Sequence, residues 1–152
     1  MSTDQISFTT GHVGINVTDL DRSTRFYQEV FGWQVQAEGG EGGRRFAFLG
    51  EDQAPVVTLW QQSEGRFDSA RPGLHHLSFQ VADLDAVRAA EARVRELGAT
   101  VYHDGVVAHR EGAGSGGIFF EDPDGSRLEI YAPTGAEDRP APSGEAPTCG
   151  FF

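Results

Sequence analysis

The chain has 152 residues, a formal net charge of −11 at pH 7 and a single cysteine. Its length favours one domain with a core of its own, and so acidic a surface is expected to repel nucleic acid and anionic membranes. The absence of a long apolar run, of a signal-peptide pattern and of a second cysteine predicts a cytoplasmic protein without disulfides.

The first predicted element is a strand. Residues 1–10 read as a short lead-in, and residues 11–17 alternate apolar and polar side chains with the period of two that is typical of strands. His12, Gly14 and Asn16 share one face of this strand, and the apolar side chains share the other. The polar face is therefore expected to border a site and the apolar face a core.

A helix over residues 20–31 follows the first strand. Asp19 is placed as its N-cap, and Gly32 as the residue that ends it. Three further strands are predicted in the first half, which gives it the order β-α-β-β-β over residues 11–60. These strands cover residues 33–37, 44–49 and 56–60.

The second half repeats this order after a polar linker at residues 61–73. A strand at 74–81 leads to a helix that begins after Asp83 and stops at Gly98. Residues 104–117 are rich in glycine and predict a loop or a loose hairpin. The remaining strands of this module, which spans 74–133, are predicted at 99–103, 117–121 and 127–131.

The last segment, residues 134–152, is rich in proline and predicts an extended tail without a core of its own. It ends with Phe151 and Phe152, two side chains that are costly to leave in water. We therefore hypothesise that the end folds back onto the domain or onto a partner subunit, the alternative being a disordered end.

The two halves share a motif. Residues 12–21 (H-V-G-I-N-V-T-D-L-D) recur at 76–85 (H-L-S-F-Q-V-A-D-L-D), so His12 corresponds to His76. If the halves pack about a pseudo-two-fold axis, these two side chains approach each other. A third candidate, Glu129, lies between apolar neighbours on the last strand, where a carboxylate is unusual unless it has a partner.

Two histidines and one carboxylate form a facial triad that leaves positions open and is typical of non-haem Fe(II). A strand histidine or glutamate taken alone is more often an ordinary surface or core residue. The duplication favours the metal interpretation for His12 and His76, because it links them in space. The link to Glu129 is inferred from the pattern of its strand alone.

The chain resembles the vicinal oxygen chelate superfamily, which includes glyoxalase I, extradiol dioxygenases, fosfomycin-resistance enzymes and bleomycin-resistance proteins. The resemblance covers residues 8–133 and implies an α+β fold, with two βαβββ modules curving around a divalent metal. It assigns the metal to His12, His76 and Glu129, with Fe(II) first and Mn, Ni, Zn or Mg as alternatives. Three motifs carry it: H-V-G-I-N-V-T-D-L-D-R-S-T-R-F-Y, G-L-H-H-L-S-F-Q-V-A-D-L-D and F-F-E-D-P-D-G-S-R-L-E-I-Y.

The resemblance to extradiol dioxygenases is partial. It implies that His109 is an acid/base in the second coordination sphere, although the gap from His109 to the Glu129 motif is longer than in the family pattern. Phe119 stands where the pattern has tyrosine, so Tyr131 or Tyr102 would have to supply the hydroxyl. The pocket is expected to include Phe119 as well as Thr58, Trp60 and Asn16.

The leading interpretation is an extradiol dioxygenase that uses O₂ to cleave a small catechol, a catecholic amino acid being one candidate. Metal-dependent glyoxalase I usually has a fourth ligand, which here would fall near Thr58, a poor ligand. A fosfomycin-type transferase would need a more basic pocket. A lyase, isomerase or thiol transferase stays the second interpretation, and a binding protein for aromatic ligands the third. The chain is expected to act as a monomer or homodimer.

Overall fold

The computed structural model of the chain describes residues 4–150. These residues form two four-stranded sheets, each with one α-helix, which confirms the predicted α+β class and the paired βαβββ modules. Within this part of the chain, both helices fall short of the length and apolar character that a membrane crossing requires.

The first module has the strand order β1-β4-β3-β2, with β1 and β4 parallel. The Asp19 carboxylate accepts a hydrogen bond from the Arg22 backbone N–H at 3.1 Å, as predicted for an N-cap, and Gly32 ends the helix with φ 73°. A 3₁₀ turn at Gly42–Arg44 joins the second and third strands. The elements are β1 (Val13–Val17), α1 (Leu20–Phe31), β2 (Gln34–Gly39), β3 (Phe46–Glu51) and β4 (Ala54–Gln61).

The second module repeats this arrangement as β5-β8-β7-β6, with β5 and β8 parallel. The Asp83 carboxylate accepts from the Ala86 backbone N–H at 2.9 Å and so begins the second helix, again as predicted. The elements are β5 (Leu77–Gln80), α2 (Leu84–Glu96), β6 (Val107–Ala108), β7 (Gly116–Glu121) and β8 (Arg127–Ala132).

The strand predicted at residues 99–103 is wrong. Val101 makes one isolated bridge to Phe120, and the strand of this position in the module is the short β6 instead. His103 and Asp104 have positive φ angles of 59° and 60°. Since a strand requires negative φ, the backbone turns here and pairing resumes only after the turn.

One apolar core joins the two modules. It lies between the helices and the sheet faces that they cover, and it includes Leu128 and Ile130 of β8. Aromatic rings cross the module boundary: the Phe79 ring lies 4.9 Å from that of Phe31 and 5.3 Å from that of Trp33, measured between centroids. The two modules are therefore held together by packing at their helix side, which leaves the opposite face of each sheet for other contacts.

A buried hydrogen bond also joins the modules. The Tyr27 hydroxyl donates to Asp122 Oδ2 at 2.8 Å, and the backbone N–H groups of Asp124 and Ser126 both donate to Oδ1. Burial raises the pKa of the Asp122 carboxyl, and these hydrogen bonds act in the opposite direction.

Replacing Tyr27 with phenylalanine is expected to lower the free energy of unfolding by about 1–3 kcal/mol, because Asp122 Oδ2 stays buried without its donor. The loss should be largest above the pKa of folded Asp122. It should shrink as the pH falls through that pKa, because the folded state then takes up the proton that burial favours. Urea unfolding across a pH series measures this. The control is Tyr102→Phe, which removes a hydroxyl bound to the more accessible Glu121; an equal loss there would contradict the argument.

The C-terminal segment packs against the second module. We call residues 136–150 the C-terminal strap. The backbone N–H of Ala136 donates to the Gly114 carbonyl, and that of Ala108 donates to the Pro140 carbonyl, both at 2.8 Å. Ala136 and Thr148 are fully buried. The chain thus folds back as far as Gly150, whereas the prediction for Phe151 and Phe152 lies outside the described residues.

Candidate metal centre

Glu129 lies on the face of β8 that points away from the shared core. The residue is almost completely buried, at 2% exposure. His76 Nε2 lies 3.4 Å from Glu129 Oε1, and His109 Nε2 contacts Oε2. A buried carboxylate is costly unless it is paired. Both oxygens of Glu129 face imidazole rings. A cation bound here would also offset the cost of burying the carboxylate charge.

Burial lowers the pKa of His76, and the nearby Glu129 carboxylate offsets this only in part. A lowered pKa keeps the imidazole neutral at neutral pH. Neutral imidazole is the form that binds metal ions. His76 is therefore in the correct protonation state for a ligand without the help of the metal.

Two polar contacts that sequence reasoning did not anticipate support these histidines. His75 Nδ1 lies 2.8 Å from His76 Nδ1, and Ser115 Oγ lies 2.8 Å from His109 Nδ1. Histidine ligands usually hydrogen-bond through their second nitrogen, which fixes the ring orientation. In the sequence His75 reads only as a residue of the opposite strand face, and Ser115 lies in a glycine-rich loop without a pattern.

Cys149 is the third potential metal ligand at this place. One donor atom from each of His76, Glu129 and Cys149 lies within 4.8 Å of the other two, and no other group of three such side chains occurs within residues 4–150. Burial, followed by the negative charge of Glu129, raises the pKa of the Cys149 thiol. Sequence reasoning missed this residue as a ligand, because it lies in a tail without a periodic pattern.

Phe119 and Tyr131 border the same cluster. Phe119 is paired with Glu129 across β7 and β8, is fully buried, and has its ring 6.3 Å from that of His109. The Tyr131 ring lies 5.0 Å from the His109 ring, while its hydroxyl donates to Gln80 Oε1 at 2.9 Å. The Tyr102 hydroxyl bonds to Glu121.

His12 is not brought to the cluster. It is exposed directly before β1, a strand of the other sheet from Glu129, and the group of mutually close donor atoms does not include it. Its predicted role as a ligand stays a prediction, and a single copy of the chain in this arrangement does not supply it.

The other predicted pocket residues belong to the first module. Gly14 pairs with Thr58 on β1 and β4 as Ser78 pairs with Glu129 on β5 and β8. Thr58 therefore holds the position in the first module that Glu129 holds in the second, as expected for the place of a fourth ligand. Its hydroxyl is buried and accepts a hydrogen bond from Trp60 Nε1 at 2.9 Å.

Trp60 is part of an aromatic patch on the first sheet. The rings of Phe46 and Phe48 lie 5.3 Å and 5.7 Å from it, and all three side chains are half-buried. Asn16 pairs with Trp60 and is exposed. This patch is a surface of the kind that stacks on aromatic molecules or on another protein.

Two cavities of the described chain lie away from the cluster. A groove of about 860 Å³ is lined by charged residues of the α1 and α2 ends, such as Arg22 and Arg25. A smaller one of about 310 Å³ includes Asn16 and Asp124. Neither includes His76, Glu129 or Cys149.

Comparison with known proteins gives a consistent family. The model of the Glyoxalase/Bleomycin resistance protein/Dioxygenase superfamily matches residues 9–130. The chain is 30% identical over 136 residues to catechol-2,3-dioxygenase from Bacillus subtilis (strain 168), covering 86% of this chain. It spans only 41% of the length of that dioxygenase.

A second relative has a similar length to this chain. Lactoylglutathione lyase from Haemophilus influenzae is 31% identical over 130 residues, with 78% of this chain and 88% of that enzyme covered. Among solved structures, a glyoxylase/bleomycin resistance protein/dioxygenase domain from Frankia sp. EAN1pec superposes with a TM-score of 0.71 at 29% identity, covering 85% of this chain and 93% of that one.

Proposed function

The chain belongs to the Glyoxalase/Bleomycin resistance protein/Dioxygenase superfamily, and on this basis we propose that it is a metal-dependent vicinal oxygen chelate enzyme. We propose extradiol ring cleavage of a small catechol, with Fe(II) as the metal, as its activity. The similarity to a catechol-2,3-dioxygenase supports this choice. The curated enzymes among its relatives also include a lyase, so the oxygen-dependent reaction is what the experiment must test.

The observation that carries the proposal is the buried Glu129 carboxylate between two imidazole rings. A carboxylate at 2% exposure has a large desolvation cost, which a divalent cation would offset. His76 and Glu129 together supply one nitrogen and one oxygen donor, which suits Fe(II), Mn²⁺ or Zn²⁺. When bound, the metal would supply Lewis acidity toward the catechol oxygens and a place for O₂.

The side chains around the cluster have separate tasks in this proposal. His109 takes up the proton that the catechol hydroxyl loses, and Ser115 holds its other ring nitrogen. Phe119 forms an apolar floor that excludes water next to Glu129. Tyr131 holds Gln80 and flanks the His109 ring, so it acts on orientation rather than on the proton.

We further propose that His12 reaches the metal from a second copy of the chain. Within one copy, His12 is exposed and lies outside the cluster. The half-exposed patch of Phe46, Phe48 and Trp60 is in the same sheet and offers an apolar surface for such a partner. In a symmetric pair, the first module of one copy would face the second module of the other, giving two equivalent sites.

Replacing His109 with glutamine is expected to lower metal affinity or turnover by about 10–100-fold, the usual cost of losing an outer-sphere partner of a ligand. Turnover should fall further, because glutamine cannot accept the catechol proton. Metal titration of the purified variant, and its turnover at saturating metal, separate the two effects. Arg110→Gln, at the exposed neighbouring residue, is the control and should leave both unchanged. Natural turnover by the metal-saturated His109 variant would exclude this residue as the base.

The test of the activity is oxygen uptake by protein loaded anaerobically with Fe(II). The substrates are L-DOPA, protocatechuate and dihydroxyphenylacetate, with a visible-range scan for a ring-cleavage product. Uptake together with a new visible band supports the dioxygenase. Iron-loaded protein that consumes no oxygen with any catechol would refute this activity while leaving the metal centre intact.

The second candidate is a lyase or isomerase of the glyoxalase type. The similarity to lactoylglutathione lyase favours it, since that enzyme is covered over 88% of its length. Thr58 weighs against it, because the position equivalent to Glu129 carries no carboxylate. Isomerisation of the methylglyoxal–glutathione adduct by Ni²⁺- or Zn²⁺-loaded protein, without oxygen consumption, would favour this reaction over ring cleavage.

A further inference from the structure

We propose that Cys149 Sγ is a ligand of the metal held by His76 and Glu129, brought there by the C-terminal strap. This inference depends on the metal centre of the proposed function and adds a thiolate to it. It gives the donor set one nitrogen, one oxygen and one sulfur from a single copy of the chain.

The strap is fixed to the segment that carries His109. The Thr148 backbone N–H donates to the His109 carbonyl at 2.7 Å, and its hydroxyl donates to the Ala108 carbonyl at 2.8 Å. Thr148 is fully buried and Cys149 follows it directly in a 3₁₀ turn. Farther back, the Glu111 N–H donates to the Gly144 carbonyl at 2.8 Å. The position of Cys149 is therefore set by backbone contacts of the same segment that carries His109.

The donor atoms converge from three separate parts of the chain. His76 comes from the start of β5, Glu129 from β8 and Cys149 from the strap, and their donor atoms lie within 4.8 Å of one another. Glu129 is only 2% exposed, so one of the three donors is a buried carboxylate. Burying this charge is costly, which favours a built site over a chance approach of three side chains. A divalent cation at this point would touch all three donors after small side-chain movements.

The thiolate changes which metal the centre prefers. Sulfur is a soft donor, so a His, Glu and Cys set favours Zn²⁺ or Co²⁺ over Mg²⁺ or Mn²⁺. On binding, the thiol gives up its proton to solvent and the sulfur lone pair forms the bond to the metal. The sulfur also fills a position that the triad of His12, His76 and Glu129 would leave open for substrate. The resting centre is therefore closed by the strap, and a chelating substrate must displace it.

The experiment uses the full-length chain in metal-free form, titrated anaerobically with Co²⁺. We expect one equivalent to bind with a sulfur-to-cobalt charge-transfer band in the near ultraviolet. The reaction of Cys149, the single cysteine of the chain, with a thiol reagent should be blocked by the metal. Cys149→Ser should abolish the band and weaken Zn²⁺ binding by about 10-fold or more, since even outer-sphere changes cost that much.

Two further variants distinguish the effect of the thiol as a ligand from the effect of the strap's position. Thr148→Val keeps the thiol and removes one hydrogen bond of the strap, so the band should weaken and the thiol should be less protected. Glu145→Gln, at an exposed position of the strap, should behave like the natural protein. Co²⁺ binding without a sulfur band, and with equal thiol reactivity in the presence and absence of metal, would overturn the inference but leave the metal centre. No binding of Co²⁺, Zn²⁺ or Fe²⁺ by the natural chain would overturn both.

Discussion

Replacing Glu129 with glutamine is expected to weaken divalent metal binding by at least about 100-fold, beyond the 10–100-fold that outer-sphere changes cost. Glutamine keeps the shape of the side chain and removes its negative charge. The carboxylate is buried and contacts both His76 and His109, and within the described residues the cluster holds no second carboxylate that could replace it. Any metal-dependent turnover should fall with the metal. Isothermal titration with Zn²⁺ and metal analysis of the Fe(II)-loaded protein measure the effect.

The matched control is Glu121→Gln on the neighbouring strand β7. Glu121 accepts hydrogen bonds from Arg66 and Tyr102 at the surface and does not belong to the cluster. Its variant should bind metal as the natural chain does. Circular dichroism of both metal-free variants checks that the fold is kept. If the Glu129 variant bound metal as tightly as the control, the assignment of the centre would be wrong.

Mixing two inactive variants is expected to restore activity. His12→Ala and Glu129→Gln should each abolish turnover, yet an exchanged mixture should recover about a quarter of the natural rate. Half of the pairs formed at random are mixed, and in each mixed pair one site has both defects while the other has neither. This follows if His12 completes the site of the other copy, since within one copy it does not belong to the cluster. Turnover after denaturation and joint refolding measures the recovery.

A second mixture controls for nonspecific rescue. His76 and Glu129 lie in the same module, so His76→Ala mixed with Glu129→Gln leaves every site with one defect and should recover nothing. Light scattering of the natural chain should show a dimer at assay concentration. A monomer that is fully active, or equal recovery in both mixtures, would contradict the shared site.

Much of the fold follows from local sequence signals. Asp19 and Asp83 cap their helices as predicted, because aspartate is strongly preferred as the N-cap directly before an amphipathic helix. The internal repeat predicted that both modules would have the element order β-α-β-β-β, which they do. The strand at 99–103 failed because alternation alone does not reveal a backbone that turns to positive φ at His103.

The site was less predictable than the fold, because its members come from distant parts of the chain. The pattern of a strand could identify Glu129 as an unusual carboxylate, and the structure shows it buried against His76. The repeat could not show whether His12 meets His76 within one copy, since it predicts equivalence and not packing. Cys149 belongs to a segment whose position depends on backbone bonds to β6 and its loop, and no side-chain pattern encodes those.

The sheets and the metal cluster differ in how they can be assembled during folding. Within residues 4–150 every strand pair joins residues of one module, so each sheet can form from contacts within about half of the chain. The cluster joins both ends of the second module to the strap, whose backbone hydrogen bonds go to residues 108–114 beside β6 and β7. We therefore expect closure of the strap over Glu129 to come late in folding and to reverse early. A bound metal ion would hold the strap closed. Amide hydrogen exchange at Thr148 should therefore be slower with Zn²⁺ than without it.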